Sequence, residues 1–89
     1  MKAVITVVGK DTVGILASVS NECANNNVNI LDVSQTILQD MFCMIMICNI
    51  DKMTIKFGDF ANILREVGTK KNLSINVMHE DIFNSMHRI

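Results

Sequence analysis

The chain has 89 residues, 49% hydrophobic and 19% charged, which suits one compact domain and excludes a disordered segment. Its formal net charge of −1 provides no basic surface for a phosphate backbone, so we expect no nucleic-acid partner. The longest apolar run, Met41 to Cys48, is too short to cross a bilayer, so we expect no membrane partner. The three cysteines form no CxxC pair and nothing reads as a secretory signal, so we expect a reduced, cytoplasmic protein.

A strand and then a helix are predicted in the first 25 residues. Lys2–Val8 is rich in β-branched residues and reads as a buried strand, with Gly9 allowing a sharp turn at its end. Apolar residues then recur at three- and four-residue steps, which predicts a helix over Val13–Asn25. Asp11 or Thr12 is the expected N-cap, because a short side-chain oxygen can accept a free N–H group of the first turn.

Two further strands follow. Asn29–Gln39 has Leu31, Val33 and Ile37 on one face and polar side chains on the other. Phe42–Ile50 returns after a turn at Gln39 and Asp40. Both faces of this returning strand are apolar, which is typical of an inner strand covered on both sides.

The second half of the chain predicts a helix, a strand and a tail. Phe57, Phe60 and Leu64 repeat at helical spacing, and Leu73–Met78 reads as a short strand. The resulting order is β-α-β-β-α-β. It predicts an α+β, ferredoxin-like sandwich in which a four-stranded antiparallel sheet carries two helices on one face. We expect one domain, with a 1–78 core and a short helical tail over 79–89.

The second face of the predicted sheet needs a cover, because the third strand is apolar on both sides. The tail and a second subunit are the two candidates, and we favour the second subunit. A homodimer joined edge to edge would also hide free strand edges. The sequence does not decide between edge-to-edge and face-to-face packing.

Three functions known for proteins with this order of strands and helices require residues that the chain lacks. RNA recognition needs stacking aromatics on the central strands, and the third strand offers only Phe42. A copper chaperone needs cysteines in the loop after the first strand, and that loop has none. An acylphosphatase-like enzyme needs an arginine there, and the arginines lie far downstream, at Arg65 and Arg88.

The same loop carries a resemblance to a known family. The segment Val7 to Leu16, with Gly9, Asp11 and Gly14 before an aliphatic pair, resembles the opening signature of ACT domains. Asn27-Val28-Asn29-Ile30 is similar to the family's second signature. The segments 29–36, 79–83 and 86–89 resemble a small group of uncharacterised stand-alone ACT proteins, so the likeness spans the whole chain.

Elementary chemistry suggests what the loop can bind. The free N–H groups and the positive end of the helix dipole suit a carboxylate, and Asp11 beside them suits an ammonium group. Gly14 would allow a close backbone approach in the first helical turn. A zwitterionic amino acid matches this pairing. The resemblance further implies that ligands sit between this loop and the second strand of a partner subunit. The candidate ligand-binding residues are Gly9, Lys10, Asp11, Thr12, Val13, Gly14, Ile15, Asn29, Ile30 and Gln35.

Plainer interpretations stay open for several of these residues. Asp11 can be only an N-cap, Gly14 can serve only helix–sheet packing, and Asn29 can simply satisfy the turn before its strand. His79, Asp81 and His87 are weak metal candidates, because two histidines eight residues apart do not share one helix face. We expect no bound metal and no cofactor.

The hypothesis from sequence is a regulatory module without catalysis of its own, because no nucleophile–base pair or metal set is present. It would bind a small molecule, an amino acid first of all, as a homodimer, and the protein it regulates is unknown. The alternative is a protein–protein interaction module whose ligand site has lapsed. A third hypothesis is a metal-binding protein acting through the histidine-containing tail.

Overall fold

The computed structural model describes residues 1–86 and has the predicted element order. The elements are β1 (Lys2–Lys10), α1 (Ile15–Asn25), β2 (Asn29–Leu38), β3 (Met41–Asn49), α2 (Phe57–Lys71), β4 (Leu73–His79) and α3 (Glu80–Met86). The strands form one antiparallel sheet in the order β2-β3-β1-β4. The ferredoxin-like α+β fold is therefore confirmed. The division into a 1–78 core and a tail stays a prediction, and β4 extends one residue past residue 78.

The core lies between one face of the sheet and the two long helices. Along α2, Phe60, Leu64 and Gly68 are spaced by four residues and are buried. Alternate side chains of the inner strands point towards them, among them Ile5 of β1 and Met44 of β3, which are 0% and 1% exposed. Every second side chain of a strand and about every fourth side chain of a helix lies on the same face, which accounts for this packing.

The C-terminal helix partly covers the opposite face of the sheet. Val4 alternates with the core residues of β1, lies outside the core cluster, and is nevertheless 1% exposed. Because α3 contacts β1 and β4, it covers Val4. Val8 and Ile45 on the same face remain 43% and 41% exposed. The tail therefore covers only part of this face. Within the described residues, no helix is long and apolar enough to span a membrane.

The beginning of α1 differs from the prediction. The N-cap position is Gly14, with φ 88°, and no side chain caps this end, so the prediction of Asp11 or Thr12 as N-cap was wrong. The loop that precedes α1 is held differently. The main-chain N–H of Asp11 donates to the carbonyl of Asp40, at 3.0 Å, which ties it to the β2–β3 turn.

The two glycines of the loop signature meet different requirements of the backbone, and only the sharp turn expected at Gly9 is wrong. Gly9 does not end its strand, because β1 continues to Lys10. A Cβ atom on Gly9 would lie 2.6 Å from the side chain of Leu73 and 3.0 Å from the carbonyl oxygen of Asn72, so close packing against β4 requires this glycine. A Cβ atom on Gly14 would meet no atom within 4 Å, so space does not require a glycine there. Its positive φ does favour glycine, because other residues rarely adopt this conformation.

Candidate functional site

The predicted loop lies at one end of the sheet. Gly9 and Lys10 close β1, and the Asp11–Gly14 loop leads into Ile15, which is buried as the first residue of α1. Val13 is 98% exposed. Since no side chain caps α1, its first N–H groups remain available to an acceptor. These N–H groups are the ones that the sequence analysis suggested for a carboxylate, and that role stays a prediction.

A cleft of about 390 Å³ opens beside this loop. Its lining, which we call the loop cleft, consists of Gly9, Lys10, Leu38, Gln39, Asp40 and Met41. The hydrogen bond between Asp11 and Asp40 joins the loop to one wall of this cleft.

Asn29 and Ile30 lie at the other end of the sheet. Asn29 pairs with Asn49 of β3, which in turn pairs with Lys2, the first residue of β1. From Lys2 to Gly9 is seven residues along one strand, or roughly 23 Å at 3.3 Å per residue. Within one chain, Asn29 and the loop therefore cannot contact the same small ligand.

A second cleft, of about 490 Å³, opens next to Asn29. Its polar lining residues, which define the asparagine cleft, are Asn27, Asn29, Asn49, Asp51 and Lys52. Only Asn29 was predicted from the sequence. Asn49, Asp51 and Lys52 were missed, because their place beside Asn29 depends on the register of β2 with β3 and on the loop after β3, which no pattern in the sequence indicates.

Asp51 carries an ion pair at this end. The N-terminal ammonium group of Met1 donates to its carboxylate, and this ammonium group lowers the pKa of Asp51. Both side chains are more than half exposed, so the pair is screened by water. Its main effect here is to neutralise the carboxylate that lines the asparagine cleft.

Gln35 occupies the middle of β2, the edge strand. The strand has no neighbour on its outer side, and nine of its ten residues are exposed. Exposed apolar side chains on it include Val33, Ile37 and Leu38, at 36%, 55% and 65%. A bulge between Ile30 and Asp32 interrupts its pairing, so the predicted common face of Leu31 with Val33 is not kept in a regular ladder.

Of the metal candidates, His79 and Asp81 line one cleft together with Met1, Lys2 and Glu80. His79, at the end of β4, stacks on Phe57 with ring centroids 4.1 Å apart, while Asp81 lies in α3. His87 lies outside the described residues. Residues 1–86 contain no group of three His, Cys, Asp or Glu side chains placed to hold a metal ion.

Comparison with known proteins places the chain in a family. The model of the ACT domain matches residues 2–78. The chain belongs to the ACT domain family. This family consists of regulatory, ligand-binding modules.

Two individual relatives match over all or nearly all of both chains. A UPF0237 protein of Clostridium perfringens is 54% identical over 89 residues, which is 100% of both chains. An ACT domain protein of Streptococcus pneumoniae is 41% identical, with a TM-score of 0.81 and 93% of each chain covered. A formyltetrahydrofolate deformylase of Pseudomonas syringae, 21% identical, shares the fold with a TM-score of 0.79 over 88% of this chain and 27% of its own. Proteins of similar length and a much longer protein thus share the fold of this chain.

Proposed function

We propose that this ACT domain is a cytoplasmic regulatory module that binds an amino acid as a homodimer and catalyses no reaction itself. The ligand site is composite. The β1–α1 loop of one subunit binds the α-carboxylate with its N–H groups and the α-ammonium with Asp11, and the β2 strand of the second subunit closes the site. The separation of the loop from Asn29, roughly 23 Å in one chain, carries the proposal, because only a second copy can unite them.

The free edge of β2 supports this arrangement. Beyond the bulge, the regular part of β2 is Asp32–Leu38, and its central residue is Gln35. Antiparallel pairing of two copies about Gln35 would set Leu38 of one copy opposite Asp32 of the other. The loop cleft of one subunit would then face the asparagine cleft of the second. Such pairing also covers the exposed main-chain groups of an edge strand.

Thermal denaturation of protein dialysed free of small molecules tests the proposal. An amino acid present at one hundred times its dissociation constant should stabilise the fold by about 2.7 kcal/mol, which raises the melting temperature of a domain of this size by roughly ten degrees or more. We expect Asp11→Ala and Gly14→Val to abolish the shift, while Asp59→Ala, on α2, retains it. Binding retained by both loop variants would contradict the site assignment.

A second function is favoured by the exposed β2 edge itself. An extended segment of another protein can add to such an edge as a further strand. In that case the ligand site has lapsed, no amino acid stabilises the protein, and one partner from cell extract is retained by the wild-type chain. A Val33→Lys variant would lose this partner, because a lysine on the edge disfavours strand addition.

A further inference from the structure

The asparagine cleft carries an unbalanced positive charge. Asp51 and Lys52 both line it, but Asp51 is already paired with the N-terminal ammonium group. Among residues 1–86, Lys52 has no ion-pair partner. Lys2, at the same end of the sheet, lines a separate cleft with Glu80 and Asp81, and these two carboxylates offset its charge. Within the described residues, a ligand group in this cleft therefore meets one positive side chain, Lys52, that is not paired with a carboxylate.

The main chain of Lys52 is held in place by its neighbours. Asn27 donates from its side-chain amide to the carbonyl oxygen of Lys52, at 2.9 Å. The N–H of Asp51 donates to Oδ1 of Asn49, at 2.8 Å, and the N–H of Thr54 donates to the carbonyl of Asn26, at 3.1 Å. The bonds from Asn27 to Lys52 and from Thr54 to Asn26 fasten the β3–α2 loop to the α1–β2 loop. Only the Lys52 side chain needs to be ordered by a ligand, which reduces the entropic cost of binding.

The asparagines add neutral donors to this charge. Oδ1 of Asn49 is occupied by Asp51, so its NH₂ group remains for a ligand acceptor. The carboxamide of Asn29 makes no hydrogen bond within the described part of the chain. One cation beside two NH₂ groups matches a carboxylate, whose two oxygens offer about four acceptor positions. A neutral amide would satisfy the donors and leave the charge unpaired.

We infer that the amino acid bound at the proposed composite site has an acidic side chain, whose carboxylate is bound by Lys52 with Asn29 and Asn49. This assignment rests on the proposed function, in which the α-ammonium and α-carboxylate groups are bound by the loop of the other subunit. The asparagine cleft, at about 490 Å³, has room for a side chain of aspartate or glutamate size. Lys52 is then the residue that selects the ligand.

Calorimetric titration of the full chain with L-aspartate, L-glutamate, L-asparagine and L-glutamine tests this inference. We expect an acidic amino acid to bind more tightly than its amide. Lys52→Gln should weaken binding of the acid about five- to tenfold and leave binding of the amide within about twofold. Lys70→Gln, which removes a positive charge from the last turn of α2, is the matched control and should change neither.

The possible outcomes separate the inference from the proposed function. Loss of the acid preference in Lys52→Gln, but not in Lys70→Gln, supports the inference. If a neutral amino acid binds the wild-type chain equally well, or if Lys52→Gln leaves the preference intact, the inference is overturned and the regulatory module stands. If no amino acid binds the wild-type chain, the proposed function fails and the assignment of Lys52 fails with it.

Discussion

The carbonyl oxygen of Leu73 lies 2.6 Å from the position that a Cβ atom on Gly68 would occupy. Gly68 belongs to α2 and Leu73 begins β4, so this glycine sets how closely the helix approaches the strand that follows it. A main-chain oxygen cannot move away as a flexible side chain would. The spacing between α2 and the sheet therefore requires that residue 68 be a glycine, which has no side chain.

Two alanine substitutions in this one helix should have opposite effects. Gly68→Ala overpacks the contact with β4 and should cost about 1–3 kcal/mol in the free energy of unfolding. Gly58→Ala meets nothing within 4 Å and should stabilise by up to about 1 kcal/mol, because alanine favours a helix more than glycine does. Urea denaturation at one protein concentration measures both. Equal effects of the two substitutions on the free energy of unfolding would contradict the close approach of Gly68 to Leu73.

The mode of dimerisation is tested by two lysine substitutions. Val33→Lys places a charge on the free β2 edge, and Ile45→Lys places one on the open sheet face. For edge-to-edge pairing, we expect Val33→Lys to be a monomer at micromolar concentration and Ile45→Lys to remain a dimer in light scattering. The reverse result would indicate face-to-face packing. A wild-type monomer would contradict both modes, and thermal melts confirm that each variant is folded.

The three cysteines should react at very different rates. Cys23 and Cys48 are 1% and 0% exposed, and a hydrogen bond to the Cys23 sulfur together with burial raises the pKa of the Cys48 thiol. Cys43 is half-buried on the open sheet face. In native protein, iodoacetamide should modify Cys43 first, because the thiolate is the reactive form and access is required. Mass spectrometry identifies the site, and Cys43→Ser should abolish native labelling. Labelling of Cys48 at the rate of Cys43 would disprove this order.

The ion pair at Asp51 should make a small, pH-dependent contribution to stability. Because its folded-state pKa lies below the ordinary value of 3.8, the contribution is present above that value and is lost as the pH falls through the folded-state pKa. Asp51→Asn should therefore lower the urea midpoint slightly at pH 6, and the difference from wild type should vanish as the pH falls through the folded-state pKa. Asp32→Asn, on the exposed β2 strand, should show no such difference at pH 6. A difference that is independent of pH would contradict the role of the carboxylate.

The element order could be predicted from the sequence because hydrophobic periodicity reports burial directly. The buried spacing of Phe60 and Leu64 in α2 follows from such a local signal. The cap of α1 could not be predicted, since an aspartate before a helix suits several positions. Here the left-handed Gly14 displaces Asp11 from that role. A close approach such as that of Gly9 to Leu73 depends on tertiary packing, which no local pattern encodes.

The candidate site was predicted less completely than the fold. Residues 9–15 could be found because they form one contiguous segment. Asn49 and Lys52 could not, because their place opposite Asn29 depends on the strand register and on the turn after β3. Residues brought together by pairing leave no spacing pattern in the chain.

The opposite placement of the loop and Asn29 has a consequence for any measured binding constant. If each ligand must contact two subunits, ligand binding and subunit association are thermodynamically linked. The apparent affinity would then increase with the concentration of the protein itself, and saturating ligand would shift the dimerisation constant by the same factor. A cell could thus tune the response of this module through its abundance, without any change in the site.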